Sequence, residues 1–322
     1  MPFISIIIPV YNASKYIKRC LYSIFDNSFS DYEIILINDG STDDSLSICQ
    51  QFKDKRLTII SQQNQGVSTT RNTGLRYAKG KWISFIDADD FIKKNYLETL
   101  ALDAINNPDA KLIQSGFYNS FERENTVVEQ QYPDLLSKDA LYNINQIRGI
   151  MHGKLFLRKI INEHNIEFDC NMIISEDIAF TMDYLIHVDY VKFSSYIGYF
   201  YRRHNQSTTG KKQIFPTYNL LTGASHIYTK YNEYCTINSI QIPLKLRRII
   251  SGKYWEIIRS LYLNHIVKPD RLNVLSSIVN DSNHCYLNDL KSGKIQHILS
   301  NILIKTNISI FDRIMLLLTK FR

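Results

Sequence analysis

The amino-acid sequence predicts an α/β fold: a mostly parallel central sheet with helices on both faces, followed by a helical appendage. Three observations predict it. Short apolar runs rich in β-branched residues alternate with stretches of 3.6-residue apolar period over the first hundred positions, as in strand-helix-strand units. Those runs end in polar, turn-like segments, as expected where parallel strands deliver their carboxyl ends to one edge. Beyond about residue 210 helical periodicity takes over and the charge balance changes sign.

Residues 3–9 (FISIIIP) read as a strand covered on both faces. From Ser14 the period changes, and Ile17, Leu21, Ile24 and Phe25 share one helical face. Residues 33–37 (EIILI) form a second strand, ended by Asp39-Gly40. Ser41-Thr42-Asp43-Asp44 then sets a hydroxyl ahead of a carboxylate, a capping-box pattern for a helix through Leu46, Cys49 and Phe52. Residues 57–60 are a third strand, 67–78 a helix, and 82–86 a fourth strand running into Asp87-Ala88-Asp89-Asp90, with a helix around 96–105 after it. Further on the pattern predicts a strand at 111–117, helices near 135–150, 158–165 and 175–188, and a strand at 190–201. From about residue 215 the chain reads as helical: Ile250, Tyr254, Ile257 and Leu261 share one face, as do Ile295, Ile298, Leu299 and Ile302.

A chain of 322 residues exceeds what one compact core usually serves, so a large first domain with a second segment is expected. With 44% hydrophobic and 21% charged residues, disorder is excluded as the main state. Cysteines at 20, 49, 170, 235 and 285 show neither C-x-x-C nor zinc spacing, which predicts no disulfide framework and a reducing cytoplasm. No basic leader precedes Phe3 and no run approaches about 18 apolar residues, so neither secretion nor membrane spanning is expected. The lack of G-x-G-x-x-G and G-x-x-x-x-G-K-[ST] argues against a dehydrogenase or a P-loop kinase.

The net charge of +7 hides an asymmetry: residues 211–322 hold 16 Lys and Arg against 6 Asp and Glu, and the first 210 hold 22 against 25. A basic tail fits nucleic acid or an anionic membrane surface, and an acidic front fits a metal. The tail has no helix-turn-helix or zinc pattern and its aromatics keep core spacing, which disfavours nucleic acid. Its last helix aligns Ile310, Phe311, Ile314, Leu317, Leu318 and Phe321, with Arg313, Lys320 and Arg322 adding charge. That face suits an anionic leaflet, the first domain or a second subunit (a homo-oligomer) equally well.

The candidate site residues gather at the predicted strand ends. Alternate carboxylates at Asp87 and Asp89, around Ala88, suit a hard divalent cation on a diphosphate; an N-cap for the next helix explains them as well. Asp39 ends the strand beside the one that runs into Pro9-Val10-Tyr11-Asn12, so its carboxylate can accept a base imide while Tyr11 covers the ring, or the segment is only a turn. Arg71, in a helix at the same edge, can meet phosphate or base oxygens or pair with a nearby Asp. Glu176 and Asp177 open a helix, where the dipole favours acids in any case, yet either carboxylate could serve as a general base. Arg202, Arg203 and His204 lie in a basic turn fit to hold a pyrophosphate, or simply solvated.

Together, the stretches IIIPVYNASKYIKRCLYSI, INDGSTDDS, NQGVSTTRNTGLRYAKGKWISFIDADD, HGKLFLRKII, ISEDIAFTM and YFYRRHNQST resemble the inverting glycosyltransferases of family 2 over about the first 210 residues. The resemblance implies a Rossmann-like nucleotide-diphospho-sugar transferase (type A) fold at 1–210, with a nucleotide-binding half at about 1–110 and an acceptor half at about 111–210, and the helical region at 211–322 appended. It implies that Pro9, Tyr11, Asn12 and Asp39 surround the base, helped by Arg71. Asp87 and Asp89 match the acidic motif for Mn²⁺ or Mg²⁺, with Asp89 as direct ligand and Asp87 beside the ribose. Asp177 matches the base, with Glu176 the alternative one position away. Asn38 stands where family members commonly carry Asp, and His152-Gly153 departs from the usual aromatic-Asn pair, which leaves Lys154 facing acceptor or diphosphate. The implied donor is a UDP-sugar, and the implied acceptor a saccharide, lipid-linked if the tail meets a membrane, in bacterial capsule, O-antigen or exopolysaccharide synthesis.

Overall fold

The computed structural model describes residues 1–121, 126–138, 151–172, 176–203, 268–280 and 308–320, together with single helical positions between 229 and 303. The chain divides into two units, one of Met1–Asn171 with Glu176–Lys212, the other of Met172–Ser175 with Gln213–Arg322.

In the first unit β1 (Ile4–Val10), β2 (Tyr32–Asp39), β3 (Leu57–Gln62) and β4 (Trp82–Phe85) lie parallel in the order β3-β2-β1-β4. Crossovers run through α1 (Ile17–Phe25), α2 (Ser45–Gln50) and α3 (Gly66–Tyr77). β1 is apolar without alternation because both its faces are covered. Ile4, Ile6, Ile8 and Val10 pack in one cluster with Ile17, Cys20, Leu21 and Ile24 of α1, all fully buried. On the other face α3 comes so close that a Cβ on Gly74 would lie 2.4 Å from Ile7 Cγ2 and 3.1 Å from Ile37 Cδ1. Only glycine fits there without shifting the helix.

The sheet continues through β5 (Phe91–Ile92), β6 (Leu112–Phe121), β7 (Thr126–Gln130), β8 (Leu135–Lys138), β9 (Lys154–Leu157) and β10 (Tyr190–Arg203), with α4 (Tyr96–Asn106), α5 (Arg158–Glu163) and α6 (Glu176–Leu185) between them. The order beyond β4 is β9-β6-β10-β5, and β9 runs antiparallel between β4 and β6. The sheet is therefore parallel in its first half and mixed in its second, a change that the sequence pattern does not reveal because side-chain periodicity is the same in either strand direction.

Two local expectations are corrected. The helix expected near 135–150 begins as β8, which pairs antiparallel with β10 from Leu135↔Phe193 to Lys138↔Tyr190; 139–150 lie outside the described residues. An apolar four-residue run is ambiguous, and edge pairing decides it. The capping box does not form either: the N-cap of α2 is Asp44, with no side-chain cap. Asp43 instead turns away to the loop after β1, accepting the Ser14 N–H at 3.0 Å and the Ser45 N–H at 3.0 Å. Burial opposes its ionisation, but these bonds and the Ser45 hydroxyl prevail and hold its pKa at about 2.

In the second unit α7 (Lys268–Asn280) meets α8 (Ile308–Lys320) through a buried ion pair. Arg271 donates to the two Asp312 oxygens at 2.9 and 3.1 Å, and the Tyr262 hydroxyl donates to Asp312 at 3.0 Å. Phe311 and Met315 of α8 are buried, as are Ile258, Leu261 and Leu299. On the tail's apolar face Phe311 is buried and Ile310 exposed; the side chains of Leu317, Leu318 and Phe321 lie outside the described residues, as do most positions of the two faces expected at 250–261 and 295–302. No helix among the described residues is long and apolar enough to cross a membrane.

Candidate active site

The register of the parallel strands sets the rim. Pro9 pairs with Ile37 and Val10 with Asn38 on one side of β1, while Ile7 pairs with Phe85 on the other. Asp39 and Asp87 therefore emerge on either side of β1, roughly 10 Å apart across two strand spacings.

At the β1 end Tyr11 is 53% exposed. Asn12 adopts φ 48°, a left-handed conformation that asparagine tolerates better than most residues. Its side-chain oxygen accepts the Thr42 N–H at 2.8 Å, and its own N–H donates to the Ser41 hydroxyl at 3.1 Å, so two loops are sewn into one wall. Asp39 is buried, and its oxygens accept Gln62 Nε2 at 2.8 Å and the N–H groups of Gln65 and Gly66 at 3.0 Å each. Those three bonds leave about one of a carboxylate's four lone-pair sites open to a ligand.

The acidic turn is held from below. Asp90 is 1% exposed and accepts the Tyr199 hydroxyl at 2.6 Å and the Arg202 N–H at 2.8 Å. The same hydroxyl accepts the Asp87 N–H at 3.3 Å, and Arg202 Nε donates to the Asp89 carbonyl at 3.1 Å. Burial first, then repulsion from Asp89 and Asp87, pushes the Asp90 pKa well above the usual carboxylate range. The N-cap position of α4 is Asn95, which makes no side-chain cap bond, so none of the three aspartates is an N-cap. Asp87 and Asp89 are left half-buried at the rim.

Arg71 crosses this rim from α3. It is buried, with one guanidinium nitrogen 3.2 Å from Asp87 and another 3.0 Å from Glu176 at the start of α6. Its side chain thus lies between two carboxylates, the ion pairing that the sequence offers as one alternative. Asp177 follows Glu176, is half-buried, and accepts the Ile178 N–H at 2.8 Å. Burial and then Glu176 push its pKa up to about 7, against the pull of Arg71, the Ile178 N–H and Lys154. Lys154 opens β9 with no exposed surface, and burial lowers its pKa to about 7 against the pull of Asp177. Gly153 before it has φ 76°, and a Cβ there would lie 2.9 Å from the Ser115 carbonyl oxygen.

Arg202 therefore belongs to the rim, and Arg203 lies over the Tyr201 ring at 5.5 Å, whereas His204 is outside the described residues. Sequence reasoning missed Tyr199 and the clamping part of Asp90; the third carboxylate in the acidic run was the available signal. Among the described residues no three His, Cys, Asp or Glu side chains form a metal cage. Mg²⁺ and Mn²⁺ on a diphosphate need no such cage: one or two carboxylates with phosphate oxygens and water suffice, and the hard oxygens of Asp89 and Asp87 fit that demand.

Comparison with known proteins agrees with this architecture. The sequence model of the family described as Glycosyl transferase family 2 matches residues 5–165, half of the chain. "Uncharacterized glycosyltransferase EpsJ" of Bacillus subtilis is 32% identical over 219 residues, covering 65% of this chain and 63% of that protein. "Glycosyltransferase GlyA" of Streptococcus pneumoniae is 32% identical over 181 residues, covering 52% of this chain and 26% of that protein. The chain thus spans less than two thirds of the length of either relative. Among solved structures, S. aureus TarS 1-349 in complex with UDP-GlcNAc superposes with a TM-score of 0.77 at 20% identity, covering 97% of this chain and 89% of that one. The mannosyltransferase PcManGT of Pyrobaculum calidifontis, in complex with GDP-Man and Mn²⁺, gives 0.51 at 16% identity, covering 94% and 85%. At these identities the likeness is one of fold, the Rossmann-like nucleotide-diphospho-sugar transferase fold.

Proposed function

The chain belongs to glycosyl transferase family 2, and we propose that it moves a sugar from a UDP-sugar to a hydroxyl of a saccharide acceptor, with inversion, in bacterial cell-surface polysaccharide synthesis. The observation that carries this reading is the meeting of Asp87 and Glu176, from distant parts of the chain, on the single guanidinium of Arg71. That meeting brings the acidic turn and the start of the helix bearing Asp177 to one rim. UDP-GlcNAc in the TarS complex supports the donor class, and Mn²⁺ in the mannosyltransferase complex supports a divalent cation.

In this reading Pro9, Tyr11, Asn12 and Asp39 surround the base, with Tyr11 offering its exposed ring and Asp39 its remaining acceptor site. Asp87, engaged by Arg71, sits beside the ribose, while Asp89 faces the diphosphate. Mn²⁺ or Mg²⁺ held by Asp89, with Asp87 near, would offset the charge that gathers on the departing diphosphate. Arg202 adds a cation on the same side. Asp177 is the base: its oxygen takes the proton of the acceptor hydroxyl as that oxygen bonds to the anomeric carbon and the bond to the diphosphate oxygen breaks. A single displacement inverts the configuration. A pKa of about 7 suits a base at neutral pH. Glu176 is the weaker candidate because its carboxylate is already committed to Arg71. Lys154, buried and electrostatically coupled to Asp177, in its own protonated form favours the Asp177 carboxylate. A lipid-linked acceptor at an anionic leaflet belongs to this reading through the charge of the helical region.

The test is a panel of UDP-, GDP- and dTDP-sugars assayed for nucleotide release with Mn²⁺, in the wild type and in Asp177→Asn. Release from a UDP-sugar that falls about 10²–10⁴-fold in the variant, the usual contribution of a general base, is expected. Equal rates in wild type and variant would reject Asp177 as the base; no release from any donor would reject the activity.

A further inference from the structure

The guanidinium of Arg71 is buried between two carboxylates. Both carboxylates it touches belong to the protein, its side chain is 7% exposed, and the Phe168 ring lies 5.3 Å from its carbon. Its two partners sit on different elements: Asp87 on the turn after β4, Glu176 on the first turn of α6. Arg71 itself is anchored in α3, the helix packed on β1 and β2. One planar group thus joins three elements that sequence separates by 16 and 105 residues. Lysine offers a point charge and cannot match two carboxylates held apart in this way.

We infer that Arg71 is a positioning residue for the transfer step: it fixes the base-bearing end of α6 to the donor turn and supplies a fixed positive charge beside Asp177, balanced by Glu176. This rests on the reading of Asp177 as the base. The charged groups around Asp177 are Glu176 on its own helix, Arg71 on α3 and Lys154 on β9, with Asp87 at the far side of Arg71. Their effects have opposite signs. Arg71 and Lys154 favour the carboxylate, whereas Glu176 opposes it.

The test titrates the Asp177 carboxyl directly, by the ¹³C shift of its side chain in labelled full-length protein, assigned with Asp177→Asn. This readout needs no activity, so failure of the base assignment and failure of the strut are separable. Arg71→Met should move the titration to higher pH and Glu176→Gln to lower pH, each by about one unit. Arg71→Lys, which restores a charge without the fork, should bring the titration part of the way back while kcat stays low and the donor KM changes little. Thermal melting identifies variants that do not fold; if Arg71→Met is among them, Arg71→Lys carries the test, a lowered kcat at little-changed donor KM supporting the strut and a wild-type kcat overturning it. Titrations that do not move, or that move the same way in Glu176→Gln and in Arg71→Met, would overturn the inference.

Discussion

Tyr199→Phe removes one oxygen and leaves the ring. The packing of that ring beside Tyr96, at 6.0 Å, and His152, at 5.1 Å, is kept, so no cavity opens. What is lost is the bond to the Asp90 carboxyl at 2.6 Å and the acceptor for the Asp87 N–H at 3.3 Å. The first is worth about 1–3 kcal/mol, depending on whether Asp90 is ionised, and an amide left without an acceptor adds about 1 kcal/mol. A loss of roughly 2–4 kcal/mol corresponds to a fall in Tm on the order of 5–15 °C for a unit of about 200 residues. Because the hydroxyl also fixes the turn that bears Asp87 and Asp89, affinity for UDP with Mn²⁺ should drop several-fold while affinity without the ion stays level. Urea unfolding followed by circular dichroism, with calorimetric titration of UDP with and without Mn²⁺, reads both effects. An unchanged unfolding midpoint together with unchanged affinity would refute the claim that this hydroxyl holds the acidic turn.

Other outcomes follow from the same geometry. Asp177 must be ionised to accept a proton, and burial raises its pKa to about 7, so kcat should climb with pH through about 7 and fall tenfold per unit on the acid side. Lys154→Met removes a buried cation that favours the Asp177 carboxylate, so the acid limb of that profile should move to higher pH while the fold is retained; an unmoved limb in a folded variant counts against the pairing. Asp39→Asn turns one acceptor oxygen into a donor, set against the Gly66 N–H on one side of the carboxylate or against the Gln65 N–H and Gln62 Nε2 on the other, and should lower stability by about 1–3 kcal/mol in denaturant titration even without nucleotide. Flotation with anionic liposomes should fail when Arg313, Lys320 and Arg322 are changed to Gln if the tail meets a leaflet; recovery of that variant with the vesicles would contradict it.

Much of the first unit is legible in the sequence because its signals are local. An unbroken apolar run such as ISIIIPV means a strand covered on both sides, and the ends of β1, β2 and β4 then name the rim before any coordinate is known. The second half of the sheet is harder to read, since KLFL and LLSK are too short to betray strand direction, and β9 and β8 take their places by pairing alone. The same limit applies to the site. Asp39 and the acidic turn announce themselves as acids after strands, but the partner of a buried cation does not. Nothing in the sequence near Arg71 points to Glu176, and Tyr199 reads as one more aromatic in a long strand until its hydroxyl is found on Asp90. Amphipathic spacing in α8 likewise could not say what covers the face, and the buried pair of Arg271 with Asp312 shows α7 packed beside it in the same unit.

The central claim is that carboxylates of the turn after β4 bind a nucleotide-sugar through a divalent ion. Calorimetric titration of a UDP-sugar into the wild type and into Asp89→Asn, each with and without Mn²⁺, tests it most directly. The account predicts binding that the ion strengthens at least tenfold in the wild type and hardly at all in the variant. Equal strengthening in both, or no uptake of any UDP-sugar by the wild type, would contradict it.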